Sequence, residues 1–162
     1  MNATTRYEND PMQAEIAAFG AVLHAQGVHA ALGYLNHCTP HRYTGVYRFD
    51  GDMLRSEVLF DRKLADVRTG ADAPLADTYC SLVGRNEAPV QILDAATDPQ
   101  ATGIDTSVIS YCGALIRDGQ GKAFGTLFHY DLQRCQERVT DQPLLEAAAQ
   151  LLYRQLYPDG AK

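Results

Sequence analysis

Apolar residues recur at helical spacing only near the two ends of the chain. Ile16, Phe19 and Leu23 share one face behind Asp10-Pro11, an N-cap followed by a proline suited to the first helical turn. Gly27 is a C′ stop, and a second helix follows with Ala31, Leu32 and Leu35 on one side, ending before Thr39-Pro40. At the other end, Leu144, Leu145, Ala148, Leu151, Leu152 and Leu156 form one stripe behind Thr140, a capping residue.

Between these helices the pattern changes to period two. Residues 42–49 alternate and are rich in aromatic and β-branched types, Asp50-Gly51 is a hairpin turn, and 53–60 form the returning strand. Residues 61–76 are polar and aperiodic, with Gly70 and Pro74 inside, the profile of a functional lid or a disordered insert. Asp77 or Thr78 caps a short helix to about Arg85, and 90–93 read as a strand before a second polar loop over 94–105. Residues 108–116 and 122–130 form a last hairpin across Asp118-Gly-Gln-Gly121. Strands in the middle and helices at both ends describe an α+β sandwich. The helices cover one face of the sheet, and the loops with the short helix cover the other.

The last hairpin divides into two unlike faces. A turn centred on Gly119-Gln120 sets Cys112 opposite Leu127 and Ser110 opposite His129. One face then carries Ser110, Cys112, Ala114, Gly125, Leu127 and His129, mostly small or polar. The other carries Ile109, Tyr111, Leu115, Phe124, Thr126 and Phe128. The bulky face is expected against the leucine-rich helices, and the small face beneath the loops, with room for a ligand.

Composition narrows the function classes. The chain has 162 residues, enough for one domain with its own core, here assigned to residues 12–157 after a flexible N-terminus at 1–11. A net charge of −6 without any Lys/Arg run excludes nucleic acid as the main partner. No apolar stretch is long enough to span a membrane, and the first residues have no apolar core for a signal peptide. A cytoplasmic protein is expected. Its four cysteines, Cys38, Cys80, Cys112 and Cys135, are therefore read as free thiols.

The order of elements and several local stretches resemble a GAF domain over residues 12–156. Tyr43-Thr-Gly-Val-Tyr-Arg-Phe-Asp50 is similar to the family's first strand. Ala76-Asp-Thr-Tyr-Cys-Ser-Leu-Val83 with Pro89-Val-Gln-Ile-Leu-Asp94 resembles its short helix and following strand, and Ser110–Ile116 with Gly125–Asp131 its final hairpin. The resemblance implies a six-stranded, mainly antiparallel sheet with a small-molecule pocket on the face away from the terminal helices. It also implies a sensory module of bacterial style. With little sequence left for an output domain, the module stands alone, and a signal passes through a homodimer or a separate signalling protein. Terminal helices often pair in such proteins, and Leu144, Leu151 and Tyr153 are the apolar positions expected to do so here.

Tyr-Cys occurs twice, at Tyr79-Cys80 and Tyr111-Cys112. Free methionine-(R)-sulfoxide reductases resemble stand-alone GAF domains, and Cys80 matches one of their cysteines. Their nucleophile lies in the loop after the next strand, and the corresponding loop here, 97–106, has none. A thiol reductase using Cys80 and Cys112 is thus the alternative to a non-catalytic sensor. Cys80, in a first helical turn, is the thiol whose pKa a helix dipole would depress. His37-Cys38-Thr-Pro-His41 lacks a second ligand cluster, so no metal is expected. No cofactor is expected either, with His129 the position that would ligate a haem iron. The ligand is expected to be small and polar or anionic. Tyr47 and Tyr79 supply aromatic walls, the N–H groups around Thr78 and Cys80 hold an anionic group, and Ser110, Cys112 and His129 form the floor. A third reading is an interaction module whose pocket is filled by its own side chains.

Overall fold

The computed structural model describes residues 11–135 and 142–158. Asp10, Thr140 and nearly all of the N-terminal segment assigned above lie outside them. Helices α1 (Pro11–Gln26) and α2 (Val28–Asn36) meet at Gly27, whose φ of 93° explains the glycine at that stop. Strands β1 (Tyr43–Asp50) and β2 (Met53–Asp61) form the first hairpin, with Gly51 in the left-handed region at φ 62°. A two-residue strand β3 (Ala73–Pro74) and a 3₁₀ turn (Leu75–Asp77) lead into α3 (Cys80–Asn86). Strand β4 (Val90–Ile92), the hairpin β5 (Ser110–Arg117) with β6 (Ala123–Asp131), and α4 (Gln142–Leu156) complete the chain.

The strands make one antiparallel six-stranded sheet in the order β3-β2-β1-β6-β5-β4. The sixth strand comes from the polar segment 61–76, which is not a free lid. It runs along β2, where the Leu59 N–H donates to the Arg68 carbonyl and the Ser56 N–H to the Asp72 carboxylate. Polar side chains and main-chain bonds hold it, which is why no hydrophobic period marks it.

Two cores flank the sheet. Phe19, Leu23, Leu32 and Leu35 of α1 and α2 and Leu145, Ala148 and Leu152 of α4 close over Val46, Cys112, Ala114, Ile116 and Leu127. On the other face Tyr79, Cys80 and Val83 pack with Leu54, Tyr111, Leu115 and Phe128. The face assignment from sequence is therefore reversed. Small residues at Cys112 and Ala114, met by Ala148 and Ala149, let α4 lie close on the sheet. The aromatic rings stand on the side of α3 and the loops.

The hairpin register also differs. Cys112 pairs with His129, and Ala114 with Leu127. That two-residue offset from the expected pairing leaves each strand's alternation intact. Asp118 widens the turn by accepting the N–H groups of Gln120 and Lys122. A bulge between Ile116 and Arg117 leaves Phe124 unpaired, and its ring turns to Tyr153 of α4 and to Tyr157 just after it, at 5.2 Å from each. Of the positions expected at a dimer surface, Leu144 and Tyr153 are buried within the single chain and Leu151 is half-buried.

Candidate functional site

Between α3 and the sheet lies a cavity of about 140 Å³. Its walls are tyrosines and a phenylalanine that share one sheet face by strand alternation: Tyr47 on β1, Tyr111 on β5, and Phe128 and Tyr130 on β6. Tyr47 stacks on Phe128 at 5.1 Å, Phe128 on Tyr130 at 5.5 Å, and Tyr130 on Tyr43 at 4.5 Å. Glycines make room for this layer. A Cβ on Gly113 would overlap the Tyr111 hydroxyl, and one on Gly45 would come within 2.8 Å of the Phe128 ring. Across the cavity, Thr78, Tyr79 and Cys80 line it from the start of α3, and Thr106 and Val108 from the loop before β5.

Hydrogen bonds fix this roof. The Tyr79 hydroxyl donates to the Val108 carbonyl at 3.1 Å, and the Tyr47 hydroxyl to the Ala71 carbonyl at 2.9 Å. Cys80 Sγ lies 3.2 Å from the Tyr111 hydroxyl and 3.1 Å from the Thr126 hydroxyl. The residue before α3 is Tyr79, and no side chain caps the helix there. Neither Asp77 nor Thr78 takes that role, because the Thr78 hydroxyl donates to the Leu75 carbonyl instead. The Thr78 N–H also goes to the Leu75 carbonyl, so it is not free for an anion, and no Lys or Arg among the described residues lines the cavity.

Of the positions singled out from sequence, Tyr47, Thr78, Tyr79 and Cys80 meet at this cavity. Ser110, Cys112 and His129 do not, since they alternate to the helix side. Ser110 opens on a separate cavity of about 380 Å³ beside His41 and Asp131, where its hydroxyl donates to the Gln133 carbonyl. Cys112 is buried under the helices. His129 shares a 2.6 Å hydrogen bond with Thr44, and its ring lies parallel to that of His41. It has no opening to the aromatic cavity and would not present a haem iron there. His37 bonds the Gly33 carbonyl and Cys38 the Tyr34 carbonyl, so these two and the buried His41 turn to different partners. The described residues contain no cluster of three or more metal-ligating side chains.

The thiol chemistry also departs from expectation. Burial raises the Cys80 pKa, outweighing its hydrogen bonds to Thr126 and Tyr111, where the sequence had pointed to a depressed value. Burial pushes Cys112 up to about 12, aided by Cys135. Cys80 and Cys112 lie on opposite faces of the sheet, and no disulfide joins any of the four cysteines among the described residues. In a native-state titration with an aromatic disulfide reagent, exposed Cys38 is expected to react first and Cys135 next. Cys80 and Cys112 should react roughly a hundred-fold slower, since each requires local opening. A fast-reacting thiol that survives Cys38→Ser/Cys135→Ser would contradict this burial.

Tyr111, Phe128 and Tyr130 were missed as site residues. Their signal was present in the period-two aromatic positions of the last hairpin, which had been assigned to the helix side. Asp77 is the charged residue of the cavity lining.

Among solved structures, the GAF domain of a phosphoenolpyruvate-protein phosphotransferase from Acinetobacter superposes with a TM-score of 0.71. It covers 91% of this chain and 94% of that one, at 11% identity. The fold is that of a GAF domain. Free methionine-R-sulfoxide reductases share it. The enzyme from Neisseria meningitidis, in complex with its substrate, gives a TM-score of 0.66 at 16% identity over 89% of this chain and 87% of that one. The type II enzyme from Thermoplasma acidophilum gives 0.60 at 20% identity over 91% and 99%. No protein-family model and no curated protein sequence matches the chain. At these identities the likeness establishes the GAF fold alone. No helix of the chain, among the described residues, is long and apolar enough to cross a membrane.

Proposed function

We propose that this chain is a GAF-type sensory domain that binds a small molecule non-covalently in the cavity beneath α3, without catalysis. The observation that carries the reading is the aromatic cavity itself. It is walled by the sheet, roofed by α3 and held open by tyrosines hydrogen-bonded to loop carbonyls. Such a site, apolar in its walls with a few fixed polar groups, is the ordinary construction of a ligand pocket. The loops that close it are the elements through which occupancy would reach a signalling partner.

The thiol-reductase alternative is weaker on geometry. Cys80 is the one cysteine at the cavity among the described residues, it is buried with a raised pKa, and the loop after β4 supplies no second thiol. A Cys80→Ser variant is accordingly expected to keep its ligand response.

The test is thermal stabilisation by a panel of small metabolites, with Ala73→Phe as the cavity-filling control at the rim. A ligand at a hundred times its Kd stabilises the native state by about 2.7 kcal/mol, several degrees in Tm for a chain of this size. Ala73→Phe should fold and lose that shift. An unchanged shift in Ala73→Phe, or no shift with any compound in the wild type, would overturn the reading.

A further inference from the structure

The cavity's chemistry narrows the ligand class, an inference that rests on the cavity being the ligand site. We propose that it takes a small organic monocation, an alkylated or quaternary ammonium group, in preference to an anion or a neutral molecule of the same shape.

Three independent features point this way. The first is the wall. Tyr47, Tyr79, Tyr111, Phe128 and Tyr130 line the cavity. Tyr111 lies nearly parallel to Phe128, at 14° and 6.3 Å, while Tyr79 inclines at 61° to Tyr111 at 5.7 Å, so the rings meet as a corner. Aromatic corners attract desolvated cations through the ring quadrupole and are the common means of holding alkylated ammonium groups.

The second is the direction of the hydrogen bonds. Tyr47, Tyr79 and Thr78 each donate their hydroxyl hydrogen to a main-chain carbonyl. What these oxygens have left to offer is lone pairs, which suit a positive ligand and repel a negative one.

The third is charge. Asp77 lines the cavity and is exposed, and among the described residues it is in no ion pair and no Lys or Arg lines the site. Asp98 lies near enough to add to the raised Tyr79 pKa, behind burial, and Asp72 does the same for Tyr47. The nearby cations are neutralised: Arg55 pairs with Asp50 and Asp72, and Arg42, over Tyr43, pairs with Asp61 at 2.7 Å. At about 140 Å³ the cavity is below the ~300–1,000 Å³ of drug-sized sites, so it fits a headgroup rather than a nucleotide or tetrapyrrole.

Choline and 3,3-dimethylbutan-1-ol have the same shape and differ in charge, so titration calorimetry with the pair reads the charge preference directly. Choline is expected to bind at least ten-fold more tightly than the alcohol, and acetate not to bind. Asp77→Asn should weaken choline several-fold and leave the alcohol unchanged. Equal affinity for choline and the alcohol would overturn the cation assignment while leaving the cavity reading intact. Binding of neither also overturns the assignment, and the metabolite panel with Ala73→Phe then judges the cavity separately.

Discussion

Lowering the pH from 7.5 to 5.5 is expected to cost this protein roughly 3 kcal/mol of folding stability, through two buried histidines outside the lining of the candidate site. His41 and His129 are almost fully buried with their rings parallel at 6.0 Å. Burial first, and Arg62 for both, disfavour the imidazolium. His41 is lowered to about 4, with Asp131 opposing the shift, and His129 to about 3, with His41 adding to it. The polar partners around them fit neutral rings. Asn36 donates to the Thr44 hydroxyl, which is bonded to His129 Nδ1, and Thr39 is bonded to His41 Nδ1. His41 Nε2 is buried without a partner, so a second ring proton would find no acceptor.

The sign follows from which state binds protons. Between the folded values and the unfolded value near 6.5, the unfolded chain binds more, so stability rises with pH across that window. The contribution is fully present above about pH 7 and is lost as pH falls toward 4. At pH 5.5, one unit below the unfolded value, each histidine costs about 1.4 kcal/mol. Asp61, Asp50 and Asp72, whose pKa values are lowered, lose their contributions only as pH falls below the carboxylate range, outside this interval. Urea unfolding at the two pH values measures the difference, and a His41→Gln/His129→Gln double variant should flatten it. Stability equal within about 0.5 kcal/mol at the two pH values would show that these rings titrate normally.

These two histidines mark where sequence reading stopped. His129 was placed on the ligand side because Ser110, Cys112 and Ala114 are small, and small was equated with empty. In the structure small residues are where a helix comes closest, and large flat rings leave a gap because they cannot interlock as tightly with a short helix above them. The alternation in the last hairpin was legible, since a two-residue error preserves parity. Which set faced the helices was not, because that depends on contacts with elements distant in sequence. The helices, the first hairpin and the turn at Gly51 were legible from local chemistry. Strand β3 was not, because side-chain and main-chain bonds to β2 hold it. Tyr47, Thr78, Tyr79 and Cys80 were legible as cavity residues through the element order of the resemblance, which set α3 over the sheet. Tyr111 and Phe128 followed the inverted face.

Gly125→Ala is the substitution expected to do most damage, at least about 3 kcal/mol, because it strikes the middle of the sheet. Gly125 pairs with Arg48 of β1 on one side and Ile116 of β5 on the other. A Cβ there would overlap the Tyr47 carbonyl oxygen, with the Tyr47 carbonyl carbon at 3.0 Å and Arg48 Cα at 3.1 Å. All three atoms are main chain, so no side chain can rotate away. Relief requires β1 to move off β6, which breaks ladder hydrogen bonds between the two central strands. The same movement would part Tyr47 from Phe128, so the cavity wall loosens with the fold and any ligand-induced Tm shift should shrink as well. Gly119→Ala, in the turn of the same β5–β6 hairpin with nothing within 4 Å, is the matched control and should stay within about 0.5 kcal/mol of wild type. Denaturant unfolding of the two variants decides the matter. A soluble, cooperatively unfolding Gly125→Ala within about 1 kcal/mol of wild type would mean that β1 and β6 tolerate a side chain at their closest approach.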